Sequence, residues 1–186
     1  MTNASLSAPG GGEGRGEVGK SSTLMAESNF QIKPVRTPLD IEAAVHLFAA
    51  YAASLGVDLA YQDFATELAT LPGKYAPPAG ELLVARDPHG KPLGCVALRP
   101  MPFDGCCEMK RLYVAPQARG LRLGRALVDA VIREAVRIGY REMRLDTLPF
   151  MAEAMSLYEK AGFRPIDPYY QTPVEGTVFL AKPLAP

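Results

Sequence analysis

Apolar and polar residues alternate from Phe30 to Arg36, FQIKPVR, which predicts a first strand with Pro34 at an edge or irregular position. Thr37 followed by Pro38 reads as a helix opening, with Thr as the cap and Pro in the first turn. Ile41, Val45, Phe48, Tyr51, Ala52 and Leu55 then recur at helical spacing and predict an amphipathic helix that stops at Gly56. A second helix is predicted from about Tyr61 to Leu71, with Phe64, Leu68 and Leu71 on one side, before the proline-rich stretch 72–80. Strands at Glu81–Arg86 and Leu93–Arg99 are joined by the turn residues Asp87-Pro88-His89-Gly90, and a third begins at Cys106. Short links between consecutive strands imply an antiparallel meander.

A long helix follows from Leu121 to Ile138, with Leu123, Leu127, Val131, Ala135 and Ile138 on one face and Gly139 as its stop. The remaining pattern predicts a strand at Glu142–Asp146, a short helix at about Met151–Lys160 ending at Gly162, and strands at Phe163–Ile166 and Thr177–Ala181. The strand–helix–strand unit across Gly120 requires its flanking strands to run parallel. The expected class is therefore α/β (α+β), a mixed, mostly antiparallel sheet of about six to seven strands flanked by about four helices.

Composition narrows this picture. At 186 residues the chain suits one domain with an extension, and 48% hydrophobic with 22% charged residues is an ordinary globular balance. Residues 1–29 hold no aromatic residue before Phe30 and are rich in Gly, Ser and Ala, so a disordered tail is expected there and a folded domain over 30–186. Within that tail Gly14–Ser21, GRGEVGKS, matches the phosphate-loop pattern, but no strand pattern precedes it and no helix pattern follows. Met25 is a candidate second translation start. Twenty basic and twenty acidic residues cancel, which removes the global field that nucleic acid or an anionic membrane would need. Cys95, Cys106 and Cys107 lack zinc spacing, so buried reduced thiols and no metal are expected. With neither a membrane-length apolar run nor a signal-peptide pattern, the expected location is cytoplasmic.

Candidate chemistry concentrates between Cys106 and Gly124, CCEMKRLYVAPQARGLRLG. A strand, a glycine turn and a helix in this order build an anion site, because the first amides of a helix lack partners and its dipole adds about half a positive charge there. Seven arginines lie between Arg119 and Arg144, and Arg119, Arg122 and Arg125 fall on or beside the loop. Gln117 and Gly120 fit the pattern Gln or Arg, two residues, Gly, one residue, Gly or Ala, and Gly124 follows. The stretch resembles the acetyl-CoA pyrophosphate loop of the GNAT superfamily of N-acetyltransferases. Arg122 departs from that pattern and would either narrow the loop or add a cation beside the pyrophosphate. A second motif, LYEKAGF at Leu157–Phe163, is similar to the family's final core motif, although Met151 stands where the family often has asparagine. The order of elements over residues 30–184 is similar to the whole GNAT fold.

The resemblance implies acetyl-CoA as co-substrate. Leu112, Tyr113 and Val114 would hold it on the strand, and Gln117, Arg119, Gly120, Leu121, Arg122, Leu123, Gly124 and Arg125 on the loop and first helical turn. Tyr158 resembles the family's general acid, and Glu108 stands where several members use a glutamate base, often through water. Among apolar strand residues Glu108 would have a raised pKa; its structural alternative is an ion pair with Lys110 or Arg141. Acceptor residues are expected among Tyr51, Tyr61, Tyr169 and Tyr170, with Arg99, Lys110 and Arg111 as partners for a carboxylate. The expected activity is acetylation of a primary amine of a small metabolite or amino acid in a ternary complex. A peptide or protein N-terminus as acceptor, and a non-catalytic acyl-CoA sensor, are the alternatives. A homodimer is possible for an enzyme of this size.

Overall fold

The computed structural model describes residues 29–185. The phosphate-loop pattern at Gly14–Ser21, Met25 and the expected tail, Asn29 apart, lie outside the described residues. The elements are β1 (Gln31–Pro34), α1 (Pro38–Leu55), α2 (Phe64–Ala69), β2 (Glu81–Arg86), β3 (Pro92–Pro100), β4 (Cys106–Val114), α3 (Leu123–Ile138), β5 (Glu142–Thr147), α4 (Ala152–Lys160), β6 (Arg164–Pro165) and β7 (Val178–Pro183). They form one seven-stranded sheet in the order β1-β2-β3-β4-β5-β7-β6. The β4–β5 pair is parallel and every other neighbouring pair antiparallel, the mixed sheet that the crossover through α3 demands.

Helix α1 starts where Thr37 Oγ1 accepts from the Asp40 amide at 3.2 Å and Asp40 Oδ2 accepts from the Thr37 amide at 3.1 Å, a reciprocal cap. Its face of Ala44, Leu47 and Phe48 packs with Tyr75 on Leu82, Val84, Cys95 and Ala97 of the sheet. The opposite sheet face, with Leu83, Val96, Leu98, Met143 and Leu145, is covered by Leu127, Val128 and Val131 of α3 and by Tyr158 of α4. Alternation along β4 places Cys107 in this second core and Cys106 on the other side, and all three cysteines are buried and in no disulfide.

Several predicted elements differ in extent, among them the three that follow. The helix predicted over Tyr61–Leu71 is instead a 3₁₀ turn at Ala60–Gln62 and the short α2, interrupted by Asp63 at φ 55°. A residue in the left-handed region cannot continue a right-handed helix. Helix α3 begins at Leu123 rather than Leu121, because Arg122 takes the left-handed conformation at φ 57°. β6 shrinks to Arg164–Pro165 beside β7.

Two irregularities shape the centre of the sheet. The register of β3 and β4 slips between the pairs Cys95–Tyr113 and Ala97–Lys110, and Arg111 at φ 57° forms the bulge. Gly94 lies beside it, where an added Cβ would stand 2.5 Å from the Tyr113 carbonyl oxygen. β4 and β5 pair over Cys106–Glu108 and Glu142–Arg144, then separate. Beyond Glu108, β4 has no strand partner on that side among the described residues, and a fork opens in the sheet.

Candidate active site

The fork is bordered by the end of β4, the loop into α3 and the start of α4. A cleft of about 680 Å³, open to solvent, runs between them. Leu112, Tyr113, Val114, Arg119, Arg122, Gly124 and Arg125 line it, opposite Phe150, Met151 and Leu157. Of the other residues predicted to bind cofactor, Gln117 and Gly120 are exposed on the loop outside the cleft wall, Leu121 is half-buried against the core, and Leu123 is buried in it. Gly120, at φ 83°, turns the chain before the helix.

No side chain caps the N-terminus of α3, in contrast to the full capping box of α1. Its first amides therefore remain available to a bound anion. Arg125 is committed to Asp129, with Nε 2.9 Å from both carboxylate oxygens. Arg119 and Arg122 make no ion pair or side-chain hydrogen bond among the described residues, which leaves two cations at the cleft for phosphate. The unpaired edge of β4 can accept an extended amide-bearing arm as an added strand. Uncapped amides, free guanidinia and an open strand edge fit a nucleotide-linked pantetheine thioester.

A second, small cavity of about 30 Å³ adjoins the cleft and shares Tyr51, Leu112 and Met151 with it. Tyr158, 6% exposed, reaches it from α4, and Lys110 and Asp146 reach it from the two arms of the fork. Burial, reinforced by Tyr51 and Asp146, pushes the Tyr158 phenol well above its ordinary pKa and keeps it protonated. Burial pushes Tyr51 up to about 12.

Glu108 is 1% exposed, and its surroundings are polar rather than the apolar ones expected. Arg99 donates to Oε2 through Nε at 2.6 Å, with Nη2 also at 2.6 Å, and the Tyr169 hydroxyl donates to Oε1 at 2.8 Å. Lys110 Nζ lies 3.9 Å from Oε1 but donates to Asp146 Oδ1 at 2.8 Å. The main ion pair of Glu108 is thus with Arg99, a cross-strand neighbour in the β3–β4 register, rather than with Lys110 or Arg141, and Arg141 pairs with Asp104 instead. Burial acts to raise the pKa of Asp146, but the charge and hydrogen bond of Lys110 prevail and hold it below the ordinary value.

Tyr51 and Tyr61 line the cavity at the fork, and Tyr169 and Tyr170 line an outer cavity of about 380 Å³ together with Arg99 and Glu108. Phe179 of β7 holds these last two tyrosines, with ring centroids at 4.9 and 5.1 Å. Asp146 was absent from the residues predicted for the site. Its signal was the alternation of EMRLDT, which puts Glu142, Arg144 and Asp146 on the sheet face opposite Met143 and Leu145.

With this geometry in view, the chain matches the family model of the acetyltransferase (GNAT) family over residues 45–163, from α1 to the start of β6. It is 45% identical over 157 residues to an uncharacterized N-acetyltransferase of Schizosaccharomyces pombe, covering 84% of this chain and 96% of that one. It is 37% identical over 112 residues to an IAA acetyltransferase of Azospirillum brasilense, covering 59% of this chain and 71% of the relative. The crystal structure of a GNAT-family acetyltransferase from Staphylococcus aureus superposes with a TM-score of 0.70 at 18% identity, covering 84% of this chain and 99% of that one, and supports the fold alone.

Proposed function

The chain belongs to the GNAT family of acetyltransferases, and from that premise we propose that it moves the acetyl group of acetyl-CoA to a primary amine of a small metabolite or amino acid. The observation that carries this reading is the meeting of two cavities at the fork, where the open cleft and the small polar cavity share Tyr51, Leu112 and Met151. A thioester entering along β4 and an amine entering from the Tyr169 side would meet beside Tyr158, so direct attack in a ternary complex suits the layout.

The ammonium first loses a proton, because its nitrogen has no free electron pair until then. Glu108, on the acceptor side and reached through solvent in the outer cavity, takes that proton. The neutral amine attacks the thioester carbonyl, forming the C–N bond, and backbone amides near Leu112 and Val114 face the developing oxyanion. Collapse breaks the C–S bond, and Tyr158 protonates the departing thiolate. The second proton leaving the nitrogen replaces the one Tyr158 gave up. The sum is amide, free thiol and one proton to solvent.

Titration calorimetry with acetyl-CoA, followed by free-thiol release across a panel of amines and amino acids, tests the reading. Binding with turnover of at least one acceptor supports it. Tight binding without thiol release from any amine favours a sensor, release only with peptides favours N-terminal acetylation, and failure to bind acetyl-CoA overturns the proposal.

A further inference from the structure

Building on the acetyl-transfer reading, we infer that the acceptor is a zwitterion, an amino acid held by its carboxylate on Arg99 and by its ammonium on Asp146 and Tyr170. The sheet itself arranges the two ends. Arg99 lies opposite Glu108 in the β3–β4 register, and Glu108 lies opposite Arg144 in the β4–β5 register. Alternation then puts Arg99, Glu108, Lys110 and Asp146 on one face, away from the α3 core.

Of the three basic residues expected to pair with an acceptor carboxylate, Arg99, Lys110 and Arg111, two are already spent. Arg111 donates Nε and Nη2 to Glu67 and Nη1 to the Gln62 side chain. Lys110 is buried against Asp146 and Glu108. Arg99 commits only Nε and Nη2 to Glu108, and among the described residues its Nη1 donates to none. Its side chain is 30% exposed and borders three adjoining cavities. Lys74 lines two of these with it and has no ion-pair partner among the described residues. Because Arg99 neutralises Glu108, a carboxylate arriving at Nη1 meets a planar donor set rather than a bare anion.

The amine end has acceptor capacity left. Tyr170 Oη is buried beside Asp146, close enough to interact with its carboxylate, and makes no other hydrogen bond among the described residues. Lys110 occupies Asp146 Oδ1. A phenol that donates to a carboxylate keeps lone pairs that can accept from a ligand. A primary ammonium has the donors to satisfy both groups, and Asp146 lines the cavity that holds Tyr158. Recognition at Asp146 is a positioning role, distinct from the proton uptake assigned to Glu108.

The test compares α-amino acids with their amides and decarboxylated amines in thiol release, using wild type, exposed Lys74→Ala and charge-conserving Arg99→Lys, with thermal melting to verify folding. The free acid should be preferred about tenfold in kcat/KM, the worth of one good charged contact. Arg99→Lys should raise the acid's KM about tenfold, with the amide's KM moving far less, and Lys74→Ala should raise it in the same direction by about two- to threefold. Equal use of acid, amide and decarboxylated amine overturns the inference, as does an equal rise in KM for all three in Arg99→Lys. If acetyl-CoA binds but no thiol is released, the transfer reading fails. The site is then judged by calorimetry with free amino acids, where no loss of affinity in Arg99→Lys overturns it too.

Discussion

The guanidinium of Arg111 and the carboxylate of Glu67 meet side by side, Nε to Oε1 at 2.8 Å and Nη2 to Oε2 at 2.7 Å. This contact ties the bulge of β4 to α2. It also explains the interrupted helix, since Gln62 on one side of Asp63 and Glu67 on the other bind the same guanidinium. The Phe64 ring lies 5.1 Å from the guanidinium carbon, and the Tyr75 hydroxyl donates to Glu67 at 2.8 Å. Glu67→Gln should therefore destabilise the protein by about 3 kcal/mol, because it leaves a buried cation without its counter-charge. Urea unfolding measures the loss, and a change under about 0.5 kcal/mol would show the pair to be idle.

Arg122 occupies a left-handed backbone position that glycine adopts without strain. Arg122→Gly should raise stability by about 0.5–1 kcal/mol while weakening acetyl-CoA binding, since the cleft loses one of its unpaired cations. Melting curves and calorimetry read the two effects separately. A variant that is more stable and binds as tightly as wild type would remove Arg122 from the cofactor site.

The Tyr158 hydroxyl makes no hydrogen bond to the described chain, while its ring packs edge-on to Phe163 with centroids 6.0 Å apart. Tyr158→Phe should keep the fold and the affinity for acetyl-CoA but lower kcat about a hundredfold or more, the usual worth of a positioned acid. Unchanged turnover in single-turnover assays would move the acid role elsewhere.

Acid should expose the sheet-face ion pairs. Burial acts to raise the pKa values of Glu67 and Asp146, but Arg111 and Lys110 outweigh it and both are depressed in the folded state. Their stabilisation is fully present above the unfolded carboxyl values, near pH 4–4.5, and is lost as pH falls through the lower folded values. Stability measured from pH 7 down should hold and then decline below about pH 4.5, with a shallower decline in Glu67→Gln. An acid limb of identical slope in both proteins would assign the loss to other groups.

The sequence alone determined the order of elements, the parallel crossover, the cap of α1 and the loop before α3. Each rests on local causes: side-chain periodicity, Thr37 and Asp40 within one turn, and Gly120 where the chain must reverse. It also singled out Glu108 and Tyr158, through the motifs on either side of that crossover. The tertiary structure alone decided which charges remain free. Arg99, Lys110 and Arg111 look alike along the chain, but Glu108, Asp146 and Glu67 come from separate strands and a helix, and only folding pairs them. The bulge at Arg111, the fork after Glu108 and the approach of Tyr169 to Glu108 share this origin, because each depends on the register between segments distant in the chain. Periodicity shows which face a residue occupies, and register decides what it meets there.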